Sequence, residues 1–169
     1  DINYSNSLFS IEINETAKSI RFGLAAIKGV GLKSISNMVE ERNKNGKFNN
    51  IIDFMTRVSK EVINKRQLEK LIQAGAFDSI ESNRAKLFNN VKKFVELFGV
   101  EKNLNQDMLF ADNDISFEDK NLFNQNYDEW KNSEILYNEL EVIGFYFSDH
   151  PLNHYPSKFF ELENIFTFK

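Results

Sequence analysis

The sequence predicts a mainly α-helical protein: a tandem helix-hairpin-helix bundle with a small β-hairpin at its N-terminal end and an irregular acidic linker. Three observations predict it. Gly29 and Gly31 flank one apolar residue, with Leu24 and Ile27 before them and Ile35, Met38 and Val39 after them at helical spacing. A second pair of apolar-striped segments brackets Gly75. Alternation of apolar and polar residues at the N-terminal end marks strands, and the fading of periodicity from Gly99 to Trp130 marks the linker.

Taken in order, residues 7–13 alternate in part and residues 19–23 alternate cleanly, with Asn14-Glu15-Thr16-Ala17 as a turn between them. Such a hairpin is too small to stand alone and must lean on something larger. A helix from about Leu32 to Arg42 stops before the Asn45-Gly46 breaker. A short helix from Ile51 to Val58 takes Asn49 or Asn50 as its cap. A third starts at the N-cap Asn64, runs to Gln73 with Leu68, Leu71 and Ile72 on one face, and ends at Gly75. A fourth, from about Asn83 to Phe98, carries the stripe Leu87, Val91, Phe94, Val95 and Phe98. A last helix, roughly Ser133 to Ile143, leads to Gly144-Phe-Tyr-Phe147, and Pro151 suits the first position of another short helix. The expected divisions are 1–23 for the β-hairpin, 24–98 for the tandem hairpin domain, 99–131 for the linker and 132–169 for a helix with a lead-in to a further domain.

The segment Lys28-Gly29-Val30-Gly31 carries the chemistry. Both glycines can adopt positive φ, and without side chains they let a phosphate approach the main chain. The N–H groups that open the following helix, with its dipole, then face that anion. Lys28 and Lys33 add charge-assisted contacts, and Ser34 sits in the first turn. Contacts of this kind hold a duplex by its backbone and read no bases. Asn64, Lys65, Arg66 and Arg84 bring polar and basic groups to two further helix starts. Cations there oppose the helix dipole, which points to a negatively charged partner outside the chain.

The net charge of −4 conceals a division. Residues 1–17 carry −3, residues 18–93 carry +9, and residues 94–169 carry −10. The basic block coincides with the hairpins, as a nucleic-acid face would. The chain has no cysteine, so it has neither disulfide nor thiolate metal site and suits a reducing compartment such as the cytoplasm. It has no long apolar run, so no membrane partner is expected. His150 and His154 are four apart, but Pro151 intervenes and no third ligand is evident. Asp112, Asp114, Glu118 and Asp119 read as solvated linker acids, so neither a metal nor a catalytic residue is expected. With no initiator methionine, the chain is expected to be a piece of a larger protein.

These residues together resemble the C-family replicative polymerases, the family of the bacterial DNA polymerase III alpha subunit. The resemblance rests on the run from Ile20 to Gly31, Phe48, Asp53-Phe54, Asn64-Lys65-Arg66, Leu71 to Asp78, Asn83-Arg84, and Leu140 to Leu152 with its Gly-Phe-Tyr-Phe-Ser-Asp-His-Pro string. It covers nearly the whole chain. It implies a segment from the end of the fingers through the tandem hairpin domain, normally followed by an OB-fold domain. It also implies a role for Gln106-Asp107-Met108-Leu109-Phe110, which match the pentapeptide that docks this subunit on the β sliding clamp. Leu109 and Phe110 would fill an apolar pocket, and the Gln106 amide would fix register. The implied partners are primer-template duplex DNA, the clamp and the other holoenzyme subunits. The implied parent activity is Mg²⁺-dependent nucleotidyl transfer, whose metal-binding carboxylates are not in this chain. The alternative is a helix-hairpin-helix module of a repair or recombination protein, which would not account for the pentapeptide.

Overall fold

The computed structural model describes residues 1–13, 18–58, 60, 62, 64–98 and 125–154. Among the described residues two strands, β1 (Ser10–Ile13) and β2 (Lys18–Arg21), precede five α-helices: α1 (Leu32–Asn45), α2 (Ile51–Arg57), α3 (Lys65–Gln73), α4 (Arg84–Phe98) and α5 (Asn132–Ile143). One turn of 3₁₀-helix occurs at Leu24–Ala26 and another at Pro151–His154.

The strands form an antiparallel pair in which Ile11 faces Ile20 and Ser10 faces Arg21. They are shorter than the alternation predicts. Residues 6 and 7 leave the ladder because their carbonyls accept the N–H groups of Leu24 and Ala25, both at 3.0 Å. Gly23 permits this close approach: a Cβ there would lie 2.5 Å from the Leu8 carbonyl carbon. The hairpin is inverted relative to an ordinary amphipathic strand pair. Ile11, Ile13 and Ile20 are 72, 72 and 75% exposed. The opposite face carries Arg21 paired with Glu12 and shares a groove with Leu24, Asp78, Arg84 and Ser148. Phe22 anchors the base of the hairpin against Phe9, Phe145 and Phe147 at edge-to-face angles.

Asparagine starts three of the helices. The Asn50 side chain accepts the Asp53 N–H, that of Asn64 accepts Gln67 N–H, and that of Asn83 accepts Lys86 N–H at 2.9 Å. Helix α1 runs to Asn45, three residues beyond the expected end, and stops at Gly46 with φ +86°, which leaves Arg42 inside the helix. Its guanidinium is buried and donates to the carbonyls of Ile2 (2.9 Å) and Ser5 (2.6 Å), tying the N-terminal segment down. Helix α3 closes in a Schellman turn: Ala76 N–H reaches the Leu71 carbonyl and Gly75 N–H that of Ile72, each at 2.9 Å. Gly75 has φ +69°, and a Cβ on it would lie 2.1 Å from an Arg84 nitrogen, so glycine is required twice over.

One buried cluster runs from the N-terminal segment through the described helices. Phe48, Phe54 and Phe77 meet edge to face with centroids 5.1 and 4.9 Å apart. Ile2 from the first expected division and Val142 from the last belong to this same cluster. Both residues pack there with the apolar side chains of 24–98. Helix α5 packs on α3, and Trp130 from the expected linker packs on Phe88. The fourth helix buries Leu87, Val91 and Phe94 as the stripe predicts, with Val95 and Phe98 partly buried.

Phe54 lies at the centre of the aromatic trio and is fully buried. Phe54→Ala is expected to lower unfolding free energy by about 3–5 kcal/mol, read from chemical denaturation at neutral pH.

Candidate nucleic-acid interface

The first hairpin is built from its apolar residues outward. Leu24, Ile27 and Val30 are buried on the incoming side, and Ile35, Met38 and Val39 on the outgoing side. The incoming arm is one 3₁₀ turn rather than a full helix, closed by Ile27 N–H on the Leu24 carbonyl. Gly29 turns the chain with φ +82°. Gly31 does not share that conformation, contrary to the expectation for both glycines. It is extended, with φ −81° and ψ 132°, and serves as the N-cap of α1. A Cβ on Gly31 would meet only Ser34 Oγ at 3.5 Å and Gln67 Oε1 at 3.8 Å, so nothing inside the molecule requires glycine there.

The hydrogen-bond ledger of the turn shows which groups remain available. Lys28 N–H donates to the Val142 carbonyl (2.9 Å), and Val30 N–H to that of Ile27 (3.1 Å). Gly31 N–H donates to Gln67 Oε1 (3.1 Å). Helix α1 has no side-chain cap and no acid in its first turn. Its opening N–H groups on Leu32, Lys33 and Ser34 thus lie at the positive end of a dipole whose own first turn carries no acid. The side chains of Lys28 and Lys33 are exposed, and Ser34 is half-buried. Val30 is 8% exposed, so its side chain is the anchor under the turn and not a contact on its surface.

The start of α3 lies beside this turn. Lys65 and Arg66 are exposed. Arg66 Nε lies 3.6 Å from where a Gly29 Cβ would stand, and Lys70 Cγ also 3.6 Å. The structure thus brings Arg66 and Lys70 of α3 against the Gly29 turn, which Lys28 and Lys33 flank in sequence. Lys65 forms only a loose surface pair with Glu69 at 3.8 Å. Asn64 is occupied as the cap of α3. The sequence reading missed Lys70 and Gln67. The i, i+4 spacing of Arg66 and Lys70 on one helix face could have revealed the former, whereas no local signal marks Gln67.

Arg84 is a correction. Its cation was expected to face an outside partner, but it is 8% exposed and its partners are internal. Nε and Nη2 hold the Asp78 carboxylate at 2.9 and 2.6 Å, and Nη1 holds Glu139 at 3.0 Å. Glu139 is fully buried on α5. Burial alone would raise its carboxyl pKa. Hydrogen bonds from the Ser148 hydroxyl and N–H, from Phe147 N–H and from Arg84 outweigh that and hold it below the ordinary carboxylate range. Arg57 is likewise spent internally, on Glu41, Asp53 and the carbonyls of Gly46 and Lys47. Part of the basic block is therefore structural.

His154 is paired with Asp149 at 2.7 Å. Among the described residues no group of three His, Asp or Glu could hold a metal ion, and no helix is long and apolar enough to cross a membrane. The pentapeptide Gln106, Asp107, Met108, Leu109, Phe110 and the acids at 112–119 lie outside the described residues.

A 3₁₀ arm joined to α1 through a glycine turn, with cations flanking the turn and the start of α3 beside it, matches a helix-hairpin-helix architecture. Residues 1–87 match the family described as the helix-hairpin-helix motif, and the chain belongs to that family. Its similarity to named proteins is more particular. It is 39% identical over 159 residues to the DNA polymerase III subunit alpha of Borreliella burgdorferi, covering 92% of this chain and 14% of that protein. It is 42% identical over 137 residues to the subunit of Neisseria meningitidis serogroup B (80% and 12%) and 32% identical over 161 residues to that of Escherichia coli (92% and 13%). The chain therefore spans about one-seventh of the length of these relatives.

The Arg84–Glu139 pair generates two expectations. Arg84→Ala leaves a buried carboxylate unpaired and is expected to cost about 3–5 kcal/mol of stability by denaturant titration. Because the Glu139 pKa is depressed in the folded state, its contribution is complete above the ordinary carboxylate range and is lost as pH falls through and below that range. Unfolding free energies measured from pH 7 downward should fall less steeply in Glu139→Gln than in the wild type.

Proposed function

We propose that this chain is the part of a bacterial replicative polymerase that grips duplex DNA by its backbone and tethers the enzyme to its sliding clamp. One observation supports the first half above all others: the uncapped start of α1 stands beside the exposed cations Lys28, Lys33 and Arg66 around the Gly29 turn. A phosphate oxygen is the ligand this arrangement suits, since helix-start N–H groups and charged side chains converge on one compact anion. Every group involved addresses charge and not base identity, so binding ignores sequence. Gly31 fits the same reading, because its lack of a side chain leaves the main chain open to approach from outside.

The second half rests on Gln106 to Phe110, whose Gln-Asp-Met-Leu-Phe sequence suits a short linear motif read by an apolar pocket on the β sliding clamp. Its flanks are acidic, with Asp112 and Asp114 close by. A tether to a ring on the same DNA raises the local concentration of a weak duplex contact and so supports processive synthesis. In the whole polymerase, template-directed nucleotidyl transfer needs Mg²⁺ held by carboxylates elsewhere in the polypeptide, and the other holoenzyme subunits join through that longer chain. The working compartment is the cytoplasm.

Duplex affinity is expected to fall by about 0.9 in log K per log unit of salt for each phosphate neutralised. Lys28→Ala with Lys33→Ala should therefore weaken binding and flatten that slope by about 1.8, as measured by fluorescence anisotropy across a salt series. Gly31→Ala should melt like the wild type yet bind duplex more weakly; equal binding would refute the backbone-contact reading. Titration with the β sliding clamp should saturate for the wild-type chain and fail for a Leu109→Ala, Phe110→Ala double variant.

A further inference from the structure

We infer that Gln67 is the positioning residue of the phosphate contact: it locks the start of α1 to the start of α3, so that N–H groups from one helix and the Arg66 guanidinium from the other address the same anion. The inference rests on the duplex-binding reading above.

Gln67 is only 9% exposed, although glutamine is ordinarily a surface residue. Its N–H is taken by Asn64 Oδ1 at 3.0 Å, which fixes it in the first turn of α3. Its side-chain carbonyl then accepts Gly31 N–H at 3.1 Å, across 36 residues of sequence. Gly31 is the N-cap of α1, so this one bond joins the two helix starts. On the same turn of α3, Arg66 Nε and Nη2 lie 3.6 and 3.9 Å from the position of a Gly29 Cβ, with Lys70 Cγ at 3.6 Å. Gly29 and Gly31 are two residues apart, so the Gln67 bond sets how far the guanidinium stands from the opening of α1.

The chemistry of the acceptor matters. An amide oxygen satisfies the Gly31 donor without placing negative charge at the positive end of α1. A carboxylate in its place would compete with the phosphate for that end. Neither α1 nor α3 carries an acid in its first turn. The bond also defines the donor set. Because Gly31 N–H is already engaged, the anion falls to the N–H groups of Leu32, Lys33 and Ser34, with Arg66 on the other side of the turn.

The test uses the 169-residue chain, a fluorescently labelled DNA duplex and anisotropy at low salt, with thermal melts in parallel. Gln67→Met keeps length and bulk but removes the acceptor. It is expected to stay folded, melting within a few degrees of the wild type, and to bind duplex about three- to tenfold more weakly. In that background Arg66→Ala should cost much less affinity than it does in the wild type, since the arginine has already lost its register. Wild-type affinity in Gln67→Met, or strictly additive losses in the double variant, overturns the inference while leaving duplex binding intact. Absence of salt-sensitive binding by the wild type overturns the underlying reading as well, and the two failures are thereby distinct. Should Gln67→Met fail to fold, Gln67→Glu decides. It retains the acceptor and is expected to fold but to lose more affinity than any neutral variant, because its charge meets the phosphate. Binding equal to wild type by Gln67→Glu places the anion elsewhere and refutes the proposal.

Discussion

One buried cation fixes how the turn after α3, the start of α4, α5 and the segment beyond α5 meet. Arg84 opens α4 from inside the protein, where an unpaired guanidinium would be untenable, so its surroundings must be built to neutralise it. Asp78 arrives from the turn after α3, Glu139 from α5, and Ser148 from the segment beyond α5. Gly75 is glycine partly because the guanidinium occupies the space a side chain would need. Glu139 in turn collects the N–H groups of Phe147 and Ser148, which sets the path of the chain after α5. Elements far apart in sequence are thus fixed by the requirement that one cation be satisfied. Such pairs add little net stability over an apolar packing of the same volume, but they tolerate few alternative arrangements.

That arrangement extends to the surface turn. Helix α5 is held by Arg84 on one side and offers the Val142 carbonyl to Lys28 N–H on the other. Gln73 on α3 also donates to Asn138 on α5 at 3.0 Å. The glycine turn is therefore braced from two directions, by α5 through Val142 and by α3 through Gln67. A loop that meets a diffusing anion gains from such bracing, because little conformational freedom remains to be lost on contact.

The local features of the fold were legible in the sequence, because their causes are local. Asn50, Asn64 and Asn83 announce helix starts through their own side chains, and Gly75 announces the end of α3. The spacing of Leu87, Val91 and Phe94 is a property of one helix and reports its buried face directly. The misread features were those decided over long separations. Arg84 looked like surface charge because its partner Glu139 lies 55 residues away, and nothing local marks Arg42, whose acceptors, the carbonyls of Ile2 and Ser5, lie 40 and 37 residues away. Alternation around Ile11 and Ile20 gave the strand period but not which face would be covered. Gln67 carries no motif, and its role exists only once α1 and α3 are side by side.

The inverted β-hairpin bears on how this chain behaves in the tube. Its three exposed isoleucines sit on a two-stranded sheet whose outer edges no other described strand covers. Open edges and an adjoining greasy face together form a template for strand-by-strand growth between molecules. Association through this face then competes with the monomer as the isolated chain is concentrated. Threonine or lysine at positions 11, 13 and 20 would make it more tractable without touching the buried cluster, since those side chains already stand in water.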